Sequence, residues 1–159
     1  MIDEAGSFGR GFFALSPRAA PHEWLQLTGG AIGEGLPMAL GAALAAPGQR
    51  VVALQADGSA MYTLQALWTM ARERLDITIL LFANRRYAIL QHELAQVNAT
   101  PGPTAEGLMR LDSPELDWLA IARGMGVEAE RAASNEALAR LLAASFARSG
   151  PFLIELEVP

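Results

Sequence analysis

Cysteine and lysine are both missing from this sequence, and histidine occurs only twice. Without cysteine there is no disulfide framework, no thiolate metal site and no cysteine nucleophile. All twelve basic residues are therefore arginine. That excludes a Walker-type phosphate loop and every Schiff-base mechanism, since both need lysine. No apolar run approaches the ~18 residues of a membrane span. The acidic opening MIDEAGSFGRG lacks the apolar core of a signal peptide. A net charge of −5 argues against a general nucleic-acid surface, which wants a basic face. The plain reading of these absences is a cytoplasmic protein with no nucleic-acid or membrane partner.

What is present is a packable chain. At 159 residues, 52% hydrophobic and 18% charged, it is long enough for one buried core. No repeat, low-complexity tract or break in composition divides it, so residues 1–159 are read as a single domain. The most informative stretch is Val51–Leu90. Val51–Gln55 is a short, nearly continuous apolar strand, and Asp57-Gly58 turns the chain. From Tyr62 to Arg74, Leu64, Leu67, Trp68 and Ala71 recur at helical spacing. Ile77–Ala83 is a second apolar strand. Strand, helix and strand in so short a span predict a right-handed βαβ unit with parallel strands. The expected class is α/β, with three α/β/α layers around a mainly parallel central sheet.

The flanking regions fit that class. Met1–Ala5 reads as a short strand, and Gly6, Gly9, Gly11, Pro17 and Pro21 make the next segment irregular. His22-Glu23 begins like a zinc-helix motif, but position 26 is Gln26 where a second histidine is required. Thr28–Gly35 is a glycine-dense loop without dinucleotide-fingerprint spacing and with no convincing strand before it. Pro37 suits the first turn of a helix over 36–46, which Pro47-Gly48 ends. A helix is expected from Leu90 to Val97, then a loop rich in Pro and Gly, then a helix opened by Asp112-Ser113-Pro114 and running to Gly124. Val127–Ala129 reads as a short strand. Ser134 and Asn135 suit the cap of a last helix with Leu138, Leu141, Leu142 and Phe146 inward. Pro151–Val158 closes the chain as a strand beside Ile77–Ala83.

Parallel strands place their carboxyl ends on one edge of the sheet, where open α/β folds bind ligands. Asp57 and Asn84 fall at two such ends. Both offer hard oxygen donors of the kind magnesium prefers, to which bound phosphates add theirs. Gly58 and Ser59 present N–H groups suited to an anion. Taken singly, either residue is more often only a turn or a strand terminator; the pair in one βαβ unit is the signal. A phospho-acceptor module with Asp57 as nucleophile is the competing class, and it needs the missing lysine.

Asp57-Gly58-Ser59, twenty-four intervening residues, then Asn84 resembles the thiamine-diphosphate motif of decarboxylases and acetolactate synthases. The resemblance runs from TGGAIGEGLPMALGAALAAPGQ through ADGSAMYTLQALWTMA and FANRRYAIL to GPFLIELEV, and is nearest the acetolactate synthase and benzoylformate decarboxylase group. It implies a thiamine-diphosphate-binding fold with thiamine diphosphate and Mg²⁺ as cofactors. On this resemblance Asp57 and Asn84 are side-chain ligands of Mg²⁺, and Arg86 adds its backbone carbonyl. Gly58 and Ser59 would contact the diphosphate. The Gly30 carbonyl would accept from the aminopyrimidine, and Ile32 would be the wedge beneath the thiazolium. The chain departs from the family at Ala56, where glycine is usual, and at Ala83, where asparagine is usual. Alanine at 56 is tolerable where φ is negative.

The activating glutamate of this family comes from a separate pyrimidine-binding domain, and none is carried onto Glu4, Glu23 or Glu34. The resemblance therefore implies the C-terminal third of a longer enzyme acting on a 2-oxo acid, as a homo-oligomer (dimer or tetramer) with the cofactor between domains. The alternatives are a small subunit of a two-chain 2-oxoacid decarboxylase, or a non-catalytic regulatory domain with this fold. His92, just past the metal-binding loop, is a candidate for the substrate side, though such a histidine is more often exposed and silent.

Overall fold

A computed structural model describes residues Met1–Pro159. Six strands form one sheet: β1 (Ile2–Glu4), β2 (Leu25–Gln26), β3 (Val51–Ala56), β4 (Ile77–Ala83), β5 (Glu128–Ala132) and β6 (Phe152–Glu157). Their order is β2-β1-β3-β4-β6-β5 and every pairing is parallel. The helices are α1 (Phe12–Leu15), α2 (Gly35–Ala45), α3 (Asp57–Ala60), α4 (Ala66–Arg72), α5 (Ala88–Gln96), α6 (Pro103–Leu108), α7 (Trp118–Gly124) and α8 (Asn135–Phe146).

Strand alternation divides the core into two. Ile77, Ile79 and Leu81 of β4 pack with Leu36, Leu67, Met70, Trp118 and Ala122 from α2, α4 and α7. Leu80 and Phe82 point the other way, where Leu141 of α8 meets them with Phe152 and Ile154. All seven residues of β4 are buried, as expected of a strand covered on both faces. Fully burying an aliphatic or methionine side chain contributes roughly 1.5–3 kcal/mol, so these layers dominate the hydrophobic gain. On the α8 side, an apolar cavity of about 930 Å³ remains between α8 and the Phe8–Trp24 segment, floored by Leu54, Leu80 and Phe82.

Several boundaries differ from the sequence reading. The helix expected over 62–74 is confined to Ala66–Arg72. Thr63 donates its hydroxyl to the Gly33 carbonyl at 2.8 Å, and Tyr62–Gln65 stay in turns. Met70 is buried, while Trp68 is half exposed beneath the Arg72 guanidinium. Helix α7 starts at Trp118, well after Asp112-Ser113-Pro114. Asp117 caps it, accepting the Ala120 N–H at 2.9 Å. The Pro/Gly-rich loop contains α6, with Pro103 in its first turn. A strand does precede the glycine loop, but it is the exposed two-residue β2. Strand β5 extends to Ala132, with Ala129 and Ala132 buried and Glu128, Glu130 and Arg131 exposed. Ser134 caps α8 by accepting the Ala137 N–H, whereas Phe146 at its end is exposed.

Candidate functional site

Strands β3 and β4 deliver Asp57 and Asn84 side by side. Asp57 opens α3 directly off β3 and is 2% exposed. Its Oδ1 accepts the Gly58 N–H at 2.8 Å, and its Oδ2 accepts the Arg85 N–H at 2.7 Å across from the β4 end. Burial pushes the Asp57 carboxyl pKa up, against the opposing pull of the Arg85 and Gly58 N–H bonds. Asp57 has no ion-pair partner. The Arg85 guanidinium instead meets Glu115 at 2.8 Å and Glu157 at 2.9 Å.

The loop after β4 is closely held. Asn84 Oδ1 accepts the Arg86 N–H at 3.1 Å, the Arg85 carbonyl accepts from Leu111 N–H at 2.7 Å, and Tyr87 N–H donates to the Met109 carbonyl at 2.9 Å. Arg85 adopts φ +58°, a left-handed conformation that costs a non-glycine residue of order 1–3 kcal/mol. That twist belongs to the backbone whose N–H reaches Asp57. Its importance was not readable from the sequence, where Asn-Arg-Arg gives no sign of positive φ.

On the β3 side, Ser59 Oγ accepts from Gln55 Nε2 at 2.8 Å and donates to the Ala56 carbonyl at 3.2 Å. Ala56 has φ −79°, so alanine is unstrained there. A Cβ on Gly58 would lie 2.8 Å from Cδ1 of Tyr87, so glycine lets the α3 turn pack against that ring. Gly30, with φ +71°, ends a 3-10 turn over Thr28–Gly30, and Ile32 just beyond is 53% exposed. Gly30, Ile32, Asp57, Gly58, Ser59, Asn84 and Arg86 all line one cavity of about 320 Å³. His92 is not among its lining residues, and His22 lies at the larger cavity on the α8 side.

The donor set decides what cation could sit here. No group of three or more His, Cys, Asp or Glu side chains is placed to hold a metal ion, which excludes a self-sufficient zinc-type site. One buried carboxylate without a positive partner, with an amide oxygen beside it, fits a hard cation that takes its other ligands from phosphate and water. Together with the parallel sheet, the cavity at its carboxyl edge defines a cofactor-binding α/β domain.

The chain belongs to the thiamine pyrophosphate enzyme family: the family described as thiamine pyrophosphate enzyme, C-terminal TPP binding domain, matches residues 4–156. A Mycobacterium tuberculosis protein assigned as the acetolactate synthase large subunit IlvX is 47% identical over all of this chain and 31% of its own length. Benzoylformate decarboxylase of Pseudomonas aeruginosa is 36% identical over 98% of this chain and 28% of its own. Among solved structures, the thiamine diphosphate-dependent 4-hydroxybenzoylformate decarboxylase of Rhodococcus jostii superposes with TM-score 0.77 at 30% identity, covering 85% of this chain and 24% of that one. The chain thus spans about a third or less of the relatives it matches. No helix is long and apolar enough to cross a membrane.

Proposed function

We propose that residues 1–159 act as one domain that binds Mg²⁺ and the diphosphate of thiamine diphosphate, as part of a 2-oxo acid decarboxylase or carboligase of acetolactate synthase or benzoylformate decarboxylase type. The observation that carries this reading is the Asp57 Oδ2 to Arg85 N–H bond of 2.7 Å. It joins the carboxyl ends of β3 and β4 and sets Asp57 beside Asn84, in a cavity that also holds Gly30 and Ile32.

Asp57, Asn84 and the Arg86 carbonyl would hold the cation, and Gly58 and Ser59 would meet the diphosphate. Gly30 and Ile32 would face the cofactor's rings. When bound, thiamine diphosphate supplies the electron sink for making or breaking a bond next to the 2-oxo acid carbonyl. The chain's own part is to bind and orient. Asp57 and Asn84 bring oxygen ligands to the cation, Ser59 has a hydroxyl that can turn toward a phosphate, and the tied loop after β4 keeps both ligands in register. The partner reading is a pyrimidine-binding domain, from the same or another chain in a homo-oligomer, which would supply the activating glutamate.

Titration calorimetry of the chain with thiamine diphosphate, with and without Mg²⁺, tests this reading. Heat of binding is expected only with Mg²⁺. Asp57→Ala should weaken it by at least about 100-fold, because loss of even an outer partner of a metal ligand costs 10–100-fold. Absence of binding both here and in a longer chain carrying the pyrimidine-binding domain would overturn the cofactor assignment.

A further inference from the structure

A second carboxylate lies buried beside the cavity, and the cofactor reading gives it no task. Glu4, at the carboxyl end of β1, is 3% exposed. Its Oε1 accepts the Gly33 N–H at 2.6 Å, and its Oε2 accepts the Gly35 N–H at 2.8 Å and Gln55 Nε2 at 2.9 Å. No arginine pairs with it. Burying a carboxylate is costly unless its oxygens are satisfied, and here each bond goes to a different residue. Two partners belong to the glycine loop and the third to β3, where Gln55 sits opposite Glu4 in the register.

We infer that Glu4 is a positioning residue: its carboxylate fixes the loop carrying Gly30 and Ile32 against the sheet and sets the ring side of the site relative to the diphosphate side. The inference rests on the cofactor reading above. The same Gln55 Nε2 that bonds Glu4 also reaches Ser59 Oγ at 2.8 Å, so one chain of contacts runs from Gly33 and Gly35 through Glu4 and Gln55 to Ser59. Within the loop, Glu34 Oε2 accepts the Thr28 N–H at 2.9 Å, which ties the loop to itself and not to the sheet. Gly33 takes φ +90°, its carbonyl is met only from outside by Thr63, and it lies too close to Tyr62 to carry a side chain. Gly35 is equally closed: an added Cβ would lie 2.5 Å from Oε2 of Glu4 and 2.5 Å from Oε1 of Gln55. Free backbone N–H groups of a loop need an acceptor when buried, and a carboxylate is the one side chain with two acceptor oxygens and no competing donor.

Glutamine at this position has nearly the same shape but replaces one acceptor with a donor. In either amide orientation, the Gly33 N–H or the Gly35 N–H then faces an NH₂ group and loses its partner. Glu4→Gln is therefore a probe of acceptor chemistry with the volume held constant.

Two measurements on the full chain decide the matter. Amide hydrogen exchange of the cofactor-free protein should show Gly33 and Gly35 protected in the wild type. At least one should exchange about tenfold faster or more in Glu4→Gln, with β4 amides unchanged, as expected for loss of one buried hydrogen bond. Calorimetry should show Mg²⁺–thiamine diphosphate binding weakened about tenfold, while Mg²⁺–pyrophosphate binding, which reports only the diphosphate side, holds. Unchanged exchange at both glycines overturns the proposal, as does faster exchange with both ligands unaffected or weakened equally. If Glu4→Gln does not fold, Glu4→Asp keeps both acceptor oxygens at a reach shorter by one methylene and is read the same way. A wild-type chain that binds neither ligand sinks the cofactor reading instead, and the exchange measurement alone then decides whether Glu4 holds the loop.

Discussion

Two glycines of α2 respond to the same substitution with opposite signs. Gly35 is buried, and an alanine Cβ there would lie 2.5 Å from both Gln55 Oε1 and Glu4 Oε2, and 2.7 Å from Glu4 Cβ. Neither neighbour can retreat freely, because Glu4 is bonded to Gly33, Gly35 and Gln55. Overpacking of this kind costs about 1–3 kcal/mol, and moving Glu4 off the Gly33 N–H adds about 1–3 kcal/mol for an unsatisfied buried donor. Against this, alanine gains about 0.5–1 kcal/mol over glycine in a helix. The net expectation for Gly35→Ala is a loss of about 1–5.5 kcal/mol, or a fall of about 2–22 °C in Tm for a domain of this size. Gly41, on the same helix, has nothing within 4 Å of an added Cβ. Gly41→Ala keeps only the helix term and should raise Tm by about 1–4 °C. Urea and thermal unfolding of the two variants beside the wild type provide the assay. A Gly35→Ala protein as stable as the wild type, in the same experiment that resolves the Gly41→Ala gain, would refute the packing around Glu4.

Ser134→Ala removes the oxygen that accepts the Ala137 N–H and should cost about 1 kcal/mol by urea unfolding, the usual worth of an N-cap. Arg148 bonds Glu128 through both terminal nitrogens and thereby holds the Glu128 carboxyl below its ordinary range. A lowered folded-state pKa adds stability above the unfolded-state value and loses it as pH falls through the folded-state value. The deficit of Glu128→Gln at neutral pH should therefore be no more than about 1 kcal/mol for so exposed a pair. It should close on acidification, and a deficit that persists unchanged deep into acid would assign the effect to packing.

The central strands were legible because burial on both faces forces unbroken apolar runs. Ile77–Ala83 was read to the residue, and Val51–Gln55 fell one short at Ala56. The Ser134 cap was legible because its chemistry is local. One error came where a distant contact overrode a local pattern. The bond from Thr63 to Gly33 keeps Tyr62–Gln65 out of α4; α7 is a different case, in which a second local signal, the Asp117 cap, prevails over the helix start expected at Asp112-Ser113-Pro114. The cavity is lined by all seven residues named for cofactor or metal. Gly30, Ile32 and Arg86 are named only through the family resemblance, whereas a parallel βαβ unit explains why Asp57 and Asn84 meet at one edge. Glu4 stayed hidden for the converse reason. Its partners at 33, 35 and 55 are brought to it only by the complete sheet.

The strand order has a consequence for how the chain must be made. Strand β6, the last in sequence, is an interior strand between β4 and β5. Thr78 of β4 waits for Phe152, and β5 has no other strand to pair with. A nascent chain halted before Phe152 would carry Ile77–Ala83, a seven-residue run without charge or proline, as an open sheet edge. Such an edge is a template for pairing with other chains. Ribosomal pausing or C-terminal truncation in this region should therefore yield aggregates rather than a loosened domain.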